Sequence, residues 1–163
     1  MKLIVLATGL LRRDATLLLV RCRYAEAAEP LWVLPGGRQE SGESIADAVR
    51  REFREETGLQ VHIGELAYVS ESIDTMHDLH VINCTFWVSE RDPRAAAKPH
   101  DAKVVEARFV ASADAPALLR ADVLRVPVGA ALSEAGALPY YFFDASQIEV
   151  PFFPSSAPAR GRR

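Results

Sequence analysis

The sequence GRQESGESIADAVRREFREETGL, residues 37–59, carries the clearest structural signals in this chain. Its apolar residues recur with the period of an α-helix. Ser41 or Ser44 can serve as the N-cap, with acidic residues nearby, and Gly58 suits the left-handed conformation in which many helices end. The pattern therefore predicts a helix that begins after one of these serines and ends at Gly58.

Two faces of this helix differ in character. Ile45, Val49 and Phe53 form an apolar stripe that must pack against a sheet. A second face, with acids at the spacing i, i+3, i+4, overlaps the edge of that stripe. Its members are Glu52, Glu55 and Glu56. Carboxylates at the edge of a buried surface repel one another and resist desolvation, so this face predicts a neutralising partner.

A divalent metal ion is the partner that the acidic face favours. The group contains no Cys or His, and oxygen ligands alone favour Mg²⁺ before Mn²⁺ or Ca²⁺. Mg²⁺ held by carboxylates keeps open positions, which substrate phosphates usually take. Arg51 lies one turn before Glu55 and can pair with it. The alternative is a solvated helix whose charged residues make ordinary i, i+4 pairs.

The loop before the helix favours the metal site over that alternative. The segment Pro35-Gly36-Gly37 ends regular structure, and its glycines allow the backbone to approach a ligand closely at the helix entrance. Two glycines five positions apart, Gly37 and Gly42, also match part of a phosphate-binding P-loop. That motif requires lysine next, whereas this chain has Glu43, so the P-loop is excluded.

The flanking sequence predicts an α/β domain. Residues 2–10 and 15–23 are β-rich apolar runs that predict a hairpin. Further strands are expected at residues 31–34, 66–71, 80–89 and 104–110, and helices at 115–119 and 128–135. Such a mixture of strands and helices predicts a sheet that is covered on both faces.

The length and the net charge of the chain limit the number of domains and the classes of binding partner that we expect. The chain has 163 residues, of which 49% are hydrophobic, and this predicts one domain with its own core. We expect a single domain over residues 1–150 and a Pro-rich C-terminal tail, 151–163, whose end is disordered. A net charge of −3 disfavours nucleic acid polymers and anionic membranes as partners.

The cysteines and the N-terminal residues predict a cytoplasmic protein. Cys22 and Cys84 form no CxxC pair, which fits a reducing compartment. The apolar start of the chain meets Arg12-Arg13-Asp14 where a secretory signal would have small residues for cleavage. No stretch approaches the roughly 20 apolar residues of a membrane span.

A set of fixed residues runs through the stretch 37–59. In chain order, the fixed residues are Gly37, Glu43, Arg51, Glu52, the bulky Phe53, Glu55, Glu56, Gly58 and Leu59. Five residues separate Gly37 from Glu43, and seven separate Glu43 from Arg51. This pattern resembles the complete signature of the Nudix hydrolases. Phe53 is a mild departure, because an aliphatic residue is commoner at that position.

The resemblance implies a fold, a reaction and a ligand set. The implied fold is an α/β/α sandwich with a mixed β-sheet. The implied reaction is Mg²⁺-dependent hydrolysis of a nucleoside diphosphate linked to another group, with water attacking phosphorus. The metal site would consist of the Gly37 carbonyl, Glu52, Glu55 and Glu56, with Mn²⁺ as an alternative ion. Arg51 and Glu43 would orient the acids, and Glu55 or Glu56 would act as the general base.

Outside the signature, the resemblance leaves several roles open. Arg38 can reach a phosphate oxygen or remain solvated. Glu106 lies where some relatives have an additional metal-binding or basic glutamate. Residues 70–80 contain neither the proline associated with ADP-ribose pyrophosphatases nor the tyrosine associated with dinucleoside polyphosphate hydrolases. A nucleoside triphosphate, a nucleotide sugar and a dinucleotide all stay candidates, and the alternative function is a nucleotide-binding or regulatory module without turnover.

Aromatic residues are concentrated near the C-terminus. They form Tyr140-Tyr141-Phe142-Phe143 and Phe152-Phe153, which together expose too much apolar surface to remain in water. We expect the segment to fold back onto its own domain. A homodimer contact or a wall of the substrate pocket is the alternative.

Overall fold

Eight strands and three helices follow one another along residues 1–25 and 27–144, which are the residues that the computed structural model describes. They are β1 (Lys2–Arg13), β2 (Thr16–Cys22), β3 (Leu31–Val33), β4 (Gly36–Arg38), α1 (Ile45–Thr57), β5 (Val61–Asp74), β6 (Leu79–Glu90), β7 (Val104–Ala111), α2 (Ala115–Leu118), α3 (Asp122–Leu132) and β8 (Tyr140–Phe143). The predicted tail, 151–163, lies outside the described residues, and the domain boundary at residue 150 stays a prediction.

The strands form a mixed sheet in the order β3-β2-β1-β6-β5-β8. β1 runs parallel to β6, β6 is antiparallel to β5, and β5 is parallel to β8. β2 carries two antiparallel neighbours, β3 and β7, and it joins β1 at the predicted hairpin. β4 pairs with β1, and β7 with β2, beside this main path.

Alternating leucines in the hairpin divide the core into two layers. Leu10, Leu17 and Leu19 pack in one cluster with residues of α2 and α3, whereas Leu11 and Leu18 pack in a second cluster with α1. Successive side chains of a strand point to opposite faces, so both faces of the sheet are buried under helices. The predicted α/β/α sandwich with a mixed sheet is confirmed.

Local signals explain both ends of α1. The backbone N–H of Asp47 donates to Ser44 Oγ at 3.1 Å, so Ser44 is the N-cap. Gly58 has a φ of +71° and its N–H donates to the Arg54 carbonyl at 3.0 Å. Val49 and Phe53 are completely buried, as the apolar stripe predicts. Capping and side-chain burial therefore agree on the helix that carries the acids.

Several elements differ from the sequence predictions, and β5 (Val61–Asp74) extends beyond the predicted strand, 66–71, at both ends. The helix expected at 128–135 is α3, which begins at Asp122 and runs through Pro127. Burial of Val123, Leu124 and Val128 in the core compensates for the hydrogen bond that the proline removes. Residues 36–38, expected in a loop, form β4, because β1 offers backbone partners that the local sequence does not reveal.

The aromatic segment folds back onto its own sheet as β8. Phe143 is buried in the core, and the Tyr141 ring packs edge-on against Tyr68 with centroids 5.9 Å apart. Tyr140 and Phe142 face solvent with about half of their surface. The expectation that the segment folds back onto its own domain is confirmed for Tyr140 to Phe143, although Tyr140 and Phe142 are only half covered, and Phe152 and Phe153 lie outside the described residues. Within the described part, no helix combines the length and the apolar character needed to cross a membrane.

Candidate active site

A close approach between β4 and β1 forms the glycine-lined base of the site. Gly36 pairs with Thr8, and Gly37 pairs with Ala7. Gly36 has a φ of +148°, and a Cβ atom added there would lie 2.4 Å from the Ala7 carbonyl oxygen. Glycine is therefore required at this position for both conformational and steric reasons.

The Glu52 carboxylate packs directly against Gly37. A Cβ atom at Gly37 would lie 2.4 Å from Glu52 Oε1, so a larger residue would push the acid away. The Glu52 side chain is 8% exposed. Burial raises the pKa of Glu52, although Arg51 and Lys103 favour its charged form.

Glu56 is the most deeply buried acid of the face, with a side chain that is 2% exposed. Its Oε2 accepts a hydrogen bond from the Gly36 N–H at 2.9 Å, and its Oε1 lies 3.5 Å from Lys103 Nζ. Burial raises the pKa of Glu56 to about 7, against the opposing effects of these two partners. This carboxyl can therefore exchange a proton near neutral pH.

Glu55 differs from the other two acids because its side chain is 44% exposed. Its Oε2 lies 3.2 Å from Arg51 Nη1, so the pairing expected between these residues is present. It faces solvent beside the buried acids and is not among the residues that line the adjoining cleft.

Arg51 links the acids to the loop. Its guanidinium forms a two-pronged contact with Glu43, with Nε to Oε2 at 3.1 Å and Nη2 to Oε1 at 2.8 Å. Nη1 also donates to Glu52 Oε1 at 2.8 Å, and Nη2 donates to the Arg38 carbonyl at 2.9 Å. The hydrogen bond from Arg51 lowers the pKa of Glu43. One side chain thus fixes the loop and two acids relative to one another.

A cleft of about 740 Å³ adjoins Glu52 and Glu56. Its floor is the face of the sheet, with polar side chains from three strands: Thr8, Ser70 and Asn83. These are less than 10% exposed, and Thr8 Oγ1 donates to Asn83 Oδ1 at 3.2 Å. Apolar side chains form another part of the lining: Tyr24, Leu34, Val123 and Leu124. The cleft thus joins an acidic end to a larger chamber with both polar and apolar walls.

Comparison with known proteins agrees with this geometry. Residues 3–129 match the family model described as the NUDIX domain. The chain belongs to the Nudix family. The model covers most of the chain, including the signature, the glycine loop and the strands that form the cleft, so the resemblance seen in residues 37–59 is confirmed.

Individual relatives match shorter stretches. An ADP-ribose pyrophosphatase from Methanocaldococcus jannaschii is 37% identical over 50% of this chain and 48% of its own length. A CTP pyrophosphohydrolase from Escherichia coli is 34% identical over 50% of this chain and 64% of its own length. The chain therefore spans less than two thirds of either relative. A crystal structure of a Nudix hydrolase from Nitrosomonas europaea has a TM-score of 0.71 at 18% identity, covering 86% of this chain and 78% of that one, which shows the shared fold.

The donor chemistry of this Nudix site fits a hard divalent cation. Glu52 and Glu56 supply nearly buried carboxylates beside the glycine cradle, and carboxylate oxygens are ligands that Mg²⁺ and Mn²⁺ accept. In residues 1–25 and 27–144, no three Asp, Glu, His or Cys side chains stand together in a geometry ready for a metal ion. The carboxylates of Glu52 and Glu56 instead contact Arg51, Gly36 and Lys103.

The structure separates the two residues proposed outside the signature. Arg38 lines the cleft next to Gly37, with its side chain exposed. Glu106 lies on β7 opposite Arg21, forms an ion pair with Arg108 at 3.4 Å, and is not part of the cleft lining. The structure therefore brings Arg38 to the acids and leaves Glu106 apart from them.

Lys103 is a site residue that sequence reasoning missed. It stands just before β7, and the pairing of β7 with β2 carries it to the acidic end of the cleft. Burial disfavours its charge, but Glu56, Glu52 and Asp101 together outweigh burial and raise the pKa of Lys103. No local pattern marks this lysine, because its relation to Glu56 depends on strand pairing.

Proposed function

We propose that this Nudix protein is a Mg²⁺-dependent hydrolase that cleaves the diphosphate bond of a nucleoside diphosphate linked to another group. The observation that carries the proposal is the joint burial of Glu52 and Glu56 against the Gly36-Gly37 backbone, at one end of a nucleotide-sized cleft. Buried carboxylates are costly without a cation, and a diphosphate needs a cation to neutralise its charge. One metal site meets both needs.

The residues that would hold the ion are the three acids and the glycine loop. They are Glu52, Glu55, Glu56 and the Gly37 carbonyl, with Mg²⁺ as the first choice and Mn²⁺ as the alternative. When bound, the ion supplies charge neutralisation of the phosphates and activation of water. Arg51 positions Glu52 and Glu55 through its direct contacts and is not itself required to touch substrate.

Proton transfer falls to Glu55 or Glu56. The half-exposed Glu55 has the better access to water, whereas Glu56 lies at the acidic end of the cleft, beside the glycine loop. Water attacks phosphorus directly, since no activated Ser or Cys nucleophile lines this cleft in the described part of the chain. Turnover in ¹⁸O-labelled water is expected to place one label in one phosphate product, and a trapped phosphoryl-enzyme would contradict this.

The remaining volume of the cleft suits the nucleoside. The hydroxyl and amide groups of Ser70 and Asn83 can hydrogen-bond to a base edge, and Tyr24 and Leu34 offer apolar contact. Arg38 stands near the acids, where it can contact a phosphate oxygen. The names of the two relatives, one for ADP-ribose and one for CTP, support a small nucleotide substrate. Nucleoside triphosphates, nucleotide sugars and dinucleotides are all retained as candidates.

The proposal is tested by a substrate screen with the purified protein and Mg²⁺, with products identified. We expect a nucleoside monophosphate among the products of at least one of these classes. Glu52→Gln, Glu55→Gln and Glu56→Gln should each lower turnover at least about a hundredfold, because the metal and base supply several kcal/mol of transition-state stabilisation. Arg54→Gln, on the exposed side of α1, is the control and should retain the wild-type rate.

Two outcomes would overturn the hydrolase proposal. If the three Gln variants kept wild-type turnover at limiting Mg²⁺, the acids would be ordinary solvated helix residues. If nucleotides bound in the cleft without turnover under all metal conditions, the protein would be a nucleotide-binding or regulatory module.

We also propose a cytoplasmic location and small-molecule nucleotides, not nucleic acid polymers, as partners. Cys22 and Cys84 are free thiols, which supports a reducing compartment. A homodimer stays an alternative use of the exposed faces of Tyr140 and Phe142, and size-exclusion chromatography with light scattering tests it.

A further inference from the structure

Lys103 places an ammonium group where the acidic end of the cleft needs positive charge. Its Nζ atom lies 3.5 Å from Glu56 Oε1 and 3.6 Å from Asp101 Oδ2. Glu56 is almost completely buried, so the lysine is close to a carboxylate that solvent cannot stabilise well. The lysine and the proposed metal ion therefore face the same carboxylate.

The backbone of Lys103 is fixed, but its ammonium group is held loosely. The Lys103 carbonyl accepts a hydrogen bond from the Arg23 N–H at 2.8 Å, and its N–H donates to Asp101 Oδ1 at 2.9 Å. Both Nζ distances exceed the about 2.7–2.9 Å of a charge-assisted hydrogen bond. The side chain is 46% exposed on a flexible four-carbon stem, so the ammonium can withdraw toward water.

We propose that Lys103 is a built-in counter-ion of Glu56 that competes with the divalent cation for this carboxylate. This inference rests on the proposed metal-dependent function. A divalent cation held by this carboxylate would stand within a few ångströms of the ammonium, and the two positive charges would repel each other. Metal binding would therefore favour withdrawal of the ammonium from Glu56. Lys103 is a positioning residue that sets how much divalent cation the site requires.

Cation affinity measured without nucleotide tests this role. Mn²⁺ serves as the probe, because the free aqua ion is counted directly by electron paramagnetic resonance during a titration. Lys103→Met keeps the stem and removes the charge, and we expect it to bind Mn²⁺ about tenfold more tightly than the wild type. Lys103→Arg retains the charge and should stay within about threefold of the wild type.

The chain offers a matched control in Lys98, which is exposed and does not line the cleft. Lys98→Met makes the same change in net charge and should leave the Mn²⁺ dissociation constant unchanged. Circular dichroism checks the fold of each variant, and Lys103→Gln replaces Lys103→Met if the latter does not fold. If Lys98→Met and Lys103→Met both bound Mn²⁺ more tightly than the wild type and with equal affinity, the effect would be due to net charge. That result would overturn the inference.

Other results separate this inference from the proposed function. Wild-type protein that binds Mn²⁺ no differently from Lys103→Met would overturn the role of Lys103 and leave the metal site standing. Wild-type protein that binds no Mn²⁺ would overturn both. A raised KM for nucleotide in Lys103→Met, with unchanged Mn²⁺ affinity, would assign the lysine to substrate phosphate and also contradict the inference.

Discussion

The Glu52 carboxylate occupies the space that a side chain at Gly37 would need, with Oε1 2.4 Å from the position of the missing Cβ. The glycine of the loop and the acid of the helix are thus parts of one packed unit. Arg51 holds the same oxygen at 2.8 Å, so Glu52 cannot move aside without breaking that contact. The small size of Gly37 therefore determines where the acid stands.

Gly37→Ala is expected to lower kcat at least about tenfold, because displacement of a catalytic group by about 1 Å can cost about a hundredfold. Steady-state kinetics at saturating Mg²⁺ measures the effect. Gly129→Ala is the control, since its new Cβ would meet nothing closer than 3.7 Å. An active Gly37→Ala enzyme with wild-type kcat would contradict the steric role assigned to this glycine.

Arg51→Lys should lower kcat about tenfold or more even though the positive charge remains. An ammonium cannot reproduce the two-pronged contact with Glu43 together with the donors to Glu52 and the Arg38 carbonyl. The comparison is Arg54→Lys, the same substitution at an exposed position on α1, which should have no effect. Equal kcat values for the two variants would show that charge alone suffices.

Glu56→Gln should stabilise the EDTA-treated protein at alkaline pH. Burial raises the pKa of Glu56 to about 7 from 4.5, so the folded protein binds this proton more tightly than the unfolded chain. The stabilisation that this tighter proton binding gives the folded protein is fully present below about pH 4.5 and is lost as the pH rises through about 7. Glutamine does not ionise, so the variant should gain about 1–3 kcal/mol over the wild type at pH 8.

Urea unfolding at pH 5 and pH 8 checks this expectation. At pH 5, Glu56 is largely protonated in the folded protein, so the difference between variant and wild type should be small. Glu65→Gln, at an exposed position on β5, should show no gain specific to pH 8. A Glu56→Gln protein that is less stable than the wild type at pH 8 would mean that its partners outweigh the cost of burial.

Phe143→Ala should lower the free energy of unfolding by about 3–5 kcal/mol, because it removes a ring from the core. Its neighbour provides the comparison, since Phe143 is 4% exposed and Phe142 is 52% exposed. Phe142→Ala should change the free energy of unfolding by less than about 1 kcal/mol. Urea unfolding of both variants tests whether β8 is integral to the fold, and similar small losses would place it outside the cooperative unit.

Local sequence was sufficient for the helix that carries the acids. Ser44 and Gly58 act through hydrogen bonds and backbone conformation within a few residues of the helix ends. Helical spacing likewise places Glu52 and Glu56 on one side of α1, next to Phe53. These features depend on short-range geometry, so they could be read together with the family signature before any tertiary contact was known.

Elements that depend on distant partners were harder to predict. Gly36–Arg38 reads locally as a loop, and it is a strand because β1 supplies its hydrogen bonds. The sequence predicts a helix only from residue 128, and α3 instead begins at Asp122 and passes through Pro127 because burial of the neighbouring side chains outweighs one lost hydrogen bond. In both cases the local preference is small compared with the tertiary interactions.

The sequence by itself determined the acidic face, its glycine loop and the family that they indicate. Tertiary structure alone decided which acids are buried, and it separated the deeply enclosed Glu56 from the half-exposed Glu55 beside it. It also brought Lys103 to Glu56 through the pairing of β7 with β2. Burial and charge pairing depend on which strands lie side by side, and strand pairing is set by the whole core, not by neighbours along the chain.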